Sequence, residues 1–232
     1  MMTDSADILV ITPHPDDAEY GVAGTVVQWV REGKTVVYAV CTNGDKGTDD
    51  PDMDPKEIAA IREDEQIAAS KVLGVREVVF LRLPDQELED TPAFRKEIVR
   101  LIRKYKPEIV VTADPYRRYI WHRDHRITGQ VVLDAAFPYA RDVHSYPDLT
   151  KEGLLPHKVK EVWLWAAEDV NHRVDIANTF DVKVSALLCH QSQVQQFTTP
   201  EGMERLRDGY KRLGEPEGLL FAESFHRVEI RW

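Results

Sequence analysis

Two short segments of this 232-residue chain concentrate histidine and aspartate residues. The first, Pro-His-Pro-Asp-Asp, holds His14, Asp16 and Asp17, and the second, His-Arg-Asp-His, holds His122 and His125. Two imidazoles and one carboxylate form a catalytic zinc set, which leaves one coordination position open for water or substrate. His14, Asp17 and His125 are therefore the predicted metal ligands. Zinc is the first choice, and iron(II) or cobalt(II) also suits such nitrogen and oxygen ligands.

The other two residues of these segments fit roles in hydrolysis. A bound divalent ion lowers the pKa of its water toward about 7 and polarises a carbonyl oxygen. Asp16, directly before the ligand Asp17, is predicted to accept the proton of that water as a general base. His122 is predicted to stabilise the oxyanion. The alternatives are an aspartate that only caps the next helix and a His-x-x-His pair that is structural.

The elements that must position these residues alternate between strand and helix patterns. This alternation predicts one α/β domain with a mostly parallel, Rossmann-like sheet and helices on both faces. Apolar runs predict strands at residues 8–11, 35–41, 78–81, 109–112 and 162–165, with a final strand at 225–230. Helices are predicted at 21–32, from the cap Asp54 to 73, and at 94–105, 124–137, 182–190 and 201–213. A loop-rich insertion is expected near 140–160.

Open parallel sheets bind ligands at the carboxyl ends of their strands. The two histidine segments follow the first and fourth predicted strands, Asn43 follows the second, and Asp114 follows the fourth. Asn43 and Asp114 are therefore candidate substrate-binding residues on the same rim. The first turn lacks the Gly-x-Gly-x-x-Gly pattern of a dinucleotide site, and its two carboxylates favour a cation over a phosphate.

Composition excludes several classes of partner. Lys and Arg number 30 against 40 Asp and Glu, so the net charge is −10, which disfavours nonspecific binding to nucleic acid or to anionic membranes. Cys41 and Cys189 form no CxxC motif and no disulfide framework. The start of the chain is acidic and no apolar stretch approaches the length of a membrane span. We expect a cytoplasmic protein without membrane insertion, and a homo-oligomer remains possible.

The two histidine segments together resemble the PIG-L, or LmbE-like, family of zinc-dependent N-deacetylases. The segments concerned are Pro13-His14-Pro15-Asp16-Asp17-Ala18-Glu19-Tyr20-Gly21 and His122-Arg123-Asp124-His125. Arg62 and Glu65 resemble the Arg-x-x-Glu helix of the family, and residues 189–193 resemble its late segment. Glu19 stands one residue later than in the commonest family form, as in the bacillithiol-type and chitobiose-type branches. Arg123 replaces a common proline.

The resemblance covers nearly the whole chain and implies a single deacetylase domain over residues 1–232. It implies an enzyme that removes the N-acetyl group from a glucosamine-containing small molecule, an N-acetylated amino sugar or its conjugate. His14, Asp17 and His125 would be the ligands, Asp16 the base, and His122 the group that assists the tetrahedral intermediate. Two alternatives stay open. One is a metal-dependent phosphoesterase, which usually needs a second metal, and the other is a non-catalytic metal- or sugar-binding protein on the same fold.

The helix that carries Arg62 raises a further question. Glu65 falls inside the predicted buried stripe of this helix, which consists of Ile58, Ile61, Ala68 and Val72. A buried carboxylate needs a partner, and Arg62 lies one turn away, so a structural Arg62–Glu65 ion pair is favoured. In the alternative interpretation, Arg62 binds substrate or contacts a carboxylate of the metal site. His190 is interpreted as a structural histidine rather than a ligand.

Overall fold

The computed structural model describes residues 4–231, and a seven-stranded sheet runs through it. The strands are β1 (Ile8–Thr12), β2 (Val36–Thr42), β3 (Glu77–Leu83), β4 (Ile109–Ala113), β5 (Glu161–Trp165), β6 (His172–Asp175) and β7 (Ala222–Glu229). Their order across the sheet is β3-β2-β1-β4-β5-β7-β6. Strands β1 to β5 pair in parallel, whereas β7 is antiparallel to both β5 and β6. The α/β fold class with a mostly parallel sheet is therefore confirmed.

Helices connect most of these strands. They are α1 (Asp17–Gly21), α2 (Ala23–Arg31), α3 (Pro55–Leu73), α4 (Pro92–Tyr105), α5 (Arg123–Asp134), α6 (Pro147–Lys151), α7 (Phe180–Leu187) and α8 (Pro200–Gly214). The helical path beyond α5 is interrupted at Phe137, whose backbone is extended, with φ −147° and ψ 121°. Helix α3 begins and ends where the sequence predicts, because Asp54 accepts a hydrogen bond from the Lys56 N–H and Gly74 adopts φ 77°. Within residues 4–231, no helix is long and apolar enough to cross a membrane.

Alternate residues of the strands face two different helical layers. In β1, Leu9 and Ile11 belong to a core cluster that includes residues of α4 and α5. Ile8 and Val10 belong to the opposite cluster, which includes residues of α2 and α3. The central strands are therefore buried on both faces, which explains their continuous apolar sequences.

The differences from the predicted elements are local. The sequence predicts neither β6 nor α1, and α2 corresponds to the predicted helix 21–32 but begins at Ala23. The expected insertion near 140–160 contains the short helix α6 between turns. A single deacetylase domain over residues 1–232 stays a prediction, and residues 1–3 and Trp232 lie outside the described residues.

The sheet order creates a crevice between β1 and β4. These strands are neighbours, but the chain continues from β1 to β2 on one side and from β4 to β5 on the other. At such a switch point the connections leave on opposite sides, and the carboxyl ends of the two strands border a ligand site. The first histidine segment follows β1, and the second follows β4. Both segments therefore lie at this crevice.

Candidate active site

The turn between β1 and α1 carries three of the predicted site residues. The backbone N–H of His14 donates to Asp17 Oδ2 at 3.0 Å, so Asp17 closes the turn. Asp16 is the N-cap residue of α1 but its side chain makes no capping hydrogen bond. Its φ of 95° is a backbone conformation that costs a non-glycine residue about 1–3 kcal/mol and persists only where the surroundings hold it.

Helix α3 holds this turn through two buried side chains. Arg62 Nη2 donates to the Pro15 carbonyl at 2.7 Å and to Asp16 Oδ2 at 3.3 Å, and Arg62 Nη1 donates to the Gly44 carbonyl at 3.2 Å. Gln66 Oε1 accepts from the Asp16 N–H at 3.1 Å. Gly44 has φ 64°, and a Cβ there would lie 2.4 Å from Arg62 Nη1, so only glycine fits beside the guanidinium. Arg62 thus contacts a carboxylate of the site.

Helix α5 places the second histidine segment against the first. Asp17 lies between two imidazoles, with Oδ2 3.1 Å from His14 Nδ1 and Oδ1 3.2 Å from His125 Nε2. His122 joins them, because one ring nitrogen from each of His14, His122 and His125 lies within 4.8 Å of the other two. The structure therefore brings the predicted ligands and His122 together at the switch point, with Asp16 in the adjoining turn.

The opposite nitrogen of His14 faces two further carboxylates. His14 Nε2 lies 3.2 Å from Asp124 Oδ2 and 3.0 Å from Asp85 Oδ1. Asp124 is fully buried and accepts from the backbone N–H groups of Gln86 at 2.7 Å and Leu88 at 3.4 Å. A carboxylate behind a ligating histidine fixes the tautomer and the orientation of its ring. In the neutral ring that a metal ion requires, a proton on Nε2 would leave Nδ1, on the Asp17 side, free to bind the ion.

His14, Asp85 and Asp124 also lie close enough together to hold an ion. The oxygens of Asp124 already accept two backbone hydrogen bonds and contact His14. Asp85 and Asp124 are therefore better suited to orient the His14 ring than to hold an ion. Sequence reasoning did not identify Asp85. The signal available was its position just beyond the carboxyl end of β3, on the same rim as the histidine segments.

The two adjacent aspartates differ in their electrostatics. Burial, together with the charge of Asp17, raises the pKa of Asp16 to about 7, although Arg62 opposes the shift. Burial acts in the same direction on Asp17, but His125 and His14 outweigh it and hold the pKa of Asp17 well below its usual range. Burial lowers the pKa of His14, but the carboxylates around this ring outweigh it and hold the pKa well above its usual value. The pKa values of the two adjacent carboxyl groups are thus shifted in opposite directions, that of Asp17 downward and that of Asp16 to about 7.

His122 is a neutral donor beside this cluster. Its Nδ1 accepts from the Asp124 N–H at 3.2 Å at the start of α5, so the proton of the neutral ring is on Nε2. Burial lowers the pKa of His122, and the nearby His14 and His125 lower it further. The ring is therefore suited to donate a hydrogen bond from Nε2.

Asn43 and Asp114 stabilise their own turns. Asn43 is half-buried, and its Oδ1 accepts from the Asp45 N–H at 3.3 Å. Asp114 is buried, and its Oδ1 accepts from the Tyr116 N–H at 2.8 Å. Their predicted role in substrate binding stays a prediction, as does that of Arg62.

The predicted ion pair between Glu65 and Arg62 is wrong. Glu65 instead accepts hydrogen bonds from the N–H and the Oγ of Ser192, at 2.7 and 2.6 Å. The predicted stripe is also wrong, because Val72 is 42% exposed. The buried residues of α3 are Ile58, Ala59, Arg62, Gln66, Ala69, Ser70 and Leu73. Arg62 and Gln66 occupy this face because they bind the turn between β1 and α1, which a pattern of apolar residues does not reveal.

His190 ends a buried polar chain that reaches the site turn. His190 is fully buried, and its Nε2 lies 3.2 Å from Glu19 Oε2. Glu19 Oε1 accepts from Gln66 Nε2 at 2.9 Å, and Gln66 holds the Asp16 N–H. This arrangement agrees with a structural role for His190. The sequence gives no local signal for the parts that Glu19 and Gln66 play, since the contacts join separate elements.

A search against protein-family models matches residues 9–136 to PIG-L, described as GlcNAc-PI de-N-acetylase. This match covers more than half of the chain. The chain belongs to the PIG-L family. The resemblance carried by the two histidine segments is thereby confirmed.

Two curated relatives of this PIG-L protein span nearly the whole chain. The diacetylchitobiose deacetylase of Thermococcus kodakarensis is 34% identical over 230 residues, which are 97% of this chain and 84% of that protein. A probable N-acetyl-alpha-D-glucosaminyl L-malate deacetylase 2 of Bacillus subtilis is 30% identical over 97% of this chain and 96% of its own length. Among solved structures, the N,N'-diacetylchitobiose deacetylase of Pyrococcus horikoshii, in complex with an inhibitor, superimposes with a TM-score of 0.91 at 30% identity. That superposition covers 97% of this chain and 84% of the other.

A cavity of about 790 Å³ opens beside Asp17 and His125 in this PIG-L protein. Its volume lies in the range of about 300–1,000 Å³ that small-molecule sites occupy. Trp121 lines it and meets His125 edge to face, with ring centroids 4.4 Å apart. Trp165 lines it as well and packs directly on Gly21, where a Cβ would lie 2.6 Å from the indole. Together, His14, Asp17, His122 and His125 form the donor cluster. It borders a partly aromatic cavity at Asp17 and His125.

Proposed function

We propose that this PIG-L protein is a metal-dependent deacetylase that hydrolyses the N-acetyl group of a glucosamine-containing small molecule. The observation that carries the proposal is the meeting of His14, Asp17 and His125 at the switch point, with Asp16 in the next position and a cavity beside them. The curated relatives support the substrate class, since the names of both contain an N-acetylated glucosamine unit.

The donor set fits a divalent ion. His14 Nδ1, the Asp17 carboxylate and His125 Nε2 would hold it, and such a set suits zinc first and iron(II) or cobalt(II) as well. When bound, the ion polarises a carbonyl oxygen and makes a water more acidic. Asp124 and Asp85 keep His14 in the tautomer that this role needs.

Asp16 moves the proton. Its pKa of about 7 allows the carboxylate to accept a proton from the attacking water near neutral pH. The same group then returns the proton to the amine nitrogen as the C–N bond breaks, which releases acetate and a free amino sugar. Arg62 and Gln66 keep the strained backbone of Asp16 in position. His122 donates a hydrogen bond from its Nε2–H to the oxyanion that forms during the attack.

Amine release tests the proposal. Purified protein loaded with zinc is incubated with N-acetylglucosaminides, N-acetylated sugar conjugates and N-acyl amino acids, and primary amine is measured. Generic phosphomonoesters are assayed in parallel for phosphate. We expect amine from the glucosaminides and little phosphate. Preferential phosphate release would contradict the proposal in favour of a phosphoesterase, and binding without turnover would favour a non-catalytic protein.

A further inference from the structure

One wall of the cavity beside the donor cluster carries positive charge, although the chain as a whole has a net charge of −10. Arg117 lines the cavity from the segment after β4, and Arg205 and Arg212 line it from α8. Arg205, Gly209 and Arg212 are spaced at i, i+4 and i+7, so they share one face of the helix. Gly209 leaves room between them, because a Cβ there would meet nothing within 4 Å.

The carboxylates that line the same cavity are already paired. Glu168 accepts from Arg118 Nε at 2.7 Å. Glu223 is 1% exposed and contacts Lys183 Nζ at 2.6 Å. Asp17 lies between the imidazoles of the donor cluster. The charge of Arg117 also acts on Glu168. Within residues 4–231, the guanidinium groups of Arg205 and Arg212 make no ion pair with a carboxylate, so their charge is available to a ligand.

Arg117 is held in place at the cavity. Its guanidinium lies over the Trp121 ring, 4.6 Å from the centroid. Trp121 Nε1 donates to the Asp114 carbonyl at 2.9 Å, and the same ring contacts His125. An ordered guanidinium loses less conformational entropy when it binds a ligand. Arg117 is therefore connected through the Trp121 ring to His125, a predicted metal ligand.

We propose that the cavity binds the part of the substrate that lies beyond the acetylated sugar, and that this part carries an anionic group. Arg205 and Arg212 bind that group from α8, with Arg117 on the side of the donor cluster. Arginine suits this role because its planar donors match carboxylate and phosphate oxygens. The inference rests on the proposed function only in placing the acetamido group at Asp17 and His125.

A binding measurement that needs no turnover tests the inference. The ligands are a glucosaminide whose aglycone ends in a carboxylate, the methyl ester of the same compound, and an analogue that ends in a phosphate. Calorimetry at low ionic strength measures their dissociation constants. We expect the carboxylate or the phosphate to bind at least about tenfold more tightly than the ester, and the preferred anion identifies the group. This advantage should shrink in 1 M salt, where charges are screened beyond about 3 Å.

Matched variants assign the effect to the cavity wall. In the double variant Arg205→Gln, Arg212→Gln, we expect the affinity for the anionic ligand to fall to that of the ester. Arg207→Gln is the control, since Arg207 lies on the same helix but over Phe180, with Nη2 3.6 Å from Asp181 Oδ1. This variant should keep the preference for the anion.

Three results would overturn the inference. They are equal affinity for the ester and the anions, tighter binding of neutral N,N'-diacetylchitobiose than of the anionic ligands, or an unchanged preference for the anion in the double variant. Amine release from the acetylated carboxylate, phosphate and ester ligands and from N,N'-diacetylchitobiose is measured separately. Its absence would contradict the proposed deacetylase, while the binding data would still decide whether the wall selects an anion.

Discussion

We expect Gln66→Met to destabilise the protein much more than a surface glutamine substitution does. Gln66 is fully buried on α3, where Oε1 accepts from the Asp16 N–H at 3.1 Å and Nε2 donates to Glu19 Oε1 at 2.9 Å. Methionine has a similar length but neither of these hydrogen-bonding groups. The substitution therefore leaves a buried N–H and a buried carboxylate oxygen without a partner.

The size of the effect follows from these two groups. Each buried polar group left unsatisfied costs about 1–3 kcal/mol, so the free energy of unfolding should fall by about 2–6 kcal/mol. For a chain of this length, 1 kcal/mol corresponds to about 2–4 °C, so Tm should fall by roughly 4–24 °C. Asp16 also loses one of the contacts that hold its strained φ. We therefore expect kcat of the folded variant to fall about tenfold with a smaller change in KM, since misplacing a catalytic group slows the reaction.

Thermal unfolding measured by calorimetry checks the expected fall in Tm, with Gln130→Met as the matched control. Gln130 makes one hydrogen bond, from Nε2 to Asp134 Oδ1 at 3.2 Å, on the half-buried surface of α5. Such a helical pair contributes about 0.2–0.5 kcal/mol, so Tm of the control should fall by no more than about 2 °C. Equal changes of Tm in the two variants would refute the reasoning that Gln66 holds the site turn.

Two further predictions concern the surroundings of the site. Gly44→Ala should lower Tm, because the new Cβ would lie 2.4 Å from Arg62 Nη1 and the residue has φ 64°. Gly209→Ala should raise Tm, because the space around its Cβ is open. The opposite order of the two Tm values would contradict the role of Gly44. Burial lowers the pKa of His190, but its hydrogen bond with Glu19 outweighs this and raises the pKa above the usual value. The stabilisation by this pair is therefore full below about pH 6.5 and is lost as the pH rises through the folded pKa. Urea unfolding should give a larger stability difference between wild type and His190→Gln at about pH 6 than at about pH 9, and a constant difference would argue against a charged His190.

The parts of the molecule that the sequence predicts are those with local causes. Helix α3 is delimited by the side chain of Asp54 and the left-handed Gly74, and both signals lie within one turn of its ends. The central strands show as apolar runs because both of their faces are buried. The donor residues could be predicted because their chemistry and their places after β1 and β4 agree.

The parts that the sequence does not predict depend on contacts between distant residues. Strand β6, His-Arg-Val-Asp, has no apolar run, and it is a strand because it pairs with β7, His172 opposite Phe225. Asp85 and Gln66 are polar residues that are buried only because His14 and the site turn bind them. A pattern of apolar residues therefore misplaces the buried face of α3.

Asp16 and Asp17 have different tasks in the proposed mechanism, and metal content measured beside turnover tests this difference most directly. Asp17→Asn and His125→Ala should each lose the metal, since each removes a proposed ligand. Asp16→Asn and His122→Ala should keep wild-type metal content by elemental analysis. Amine release by Asp16→Asn should fall by about 10²–10⁴-fold, the usual effect of losing a general base. An Asp16→Asn protein that contains no metal, or that keeps near-normal turnover, would contradict the account.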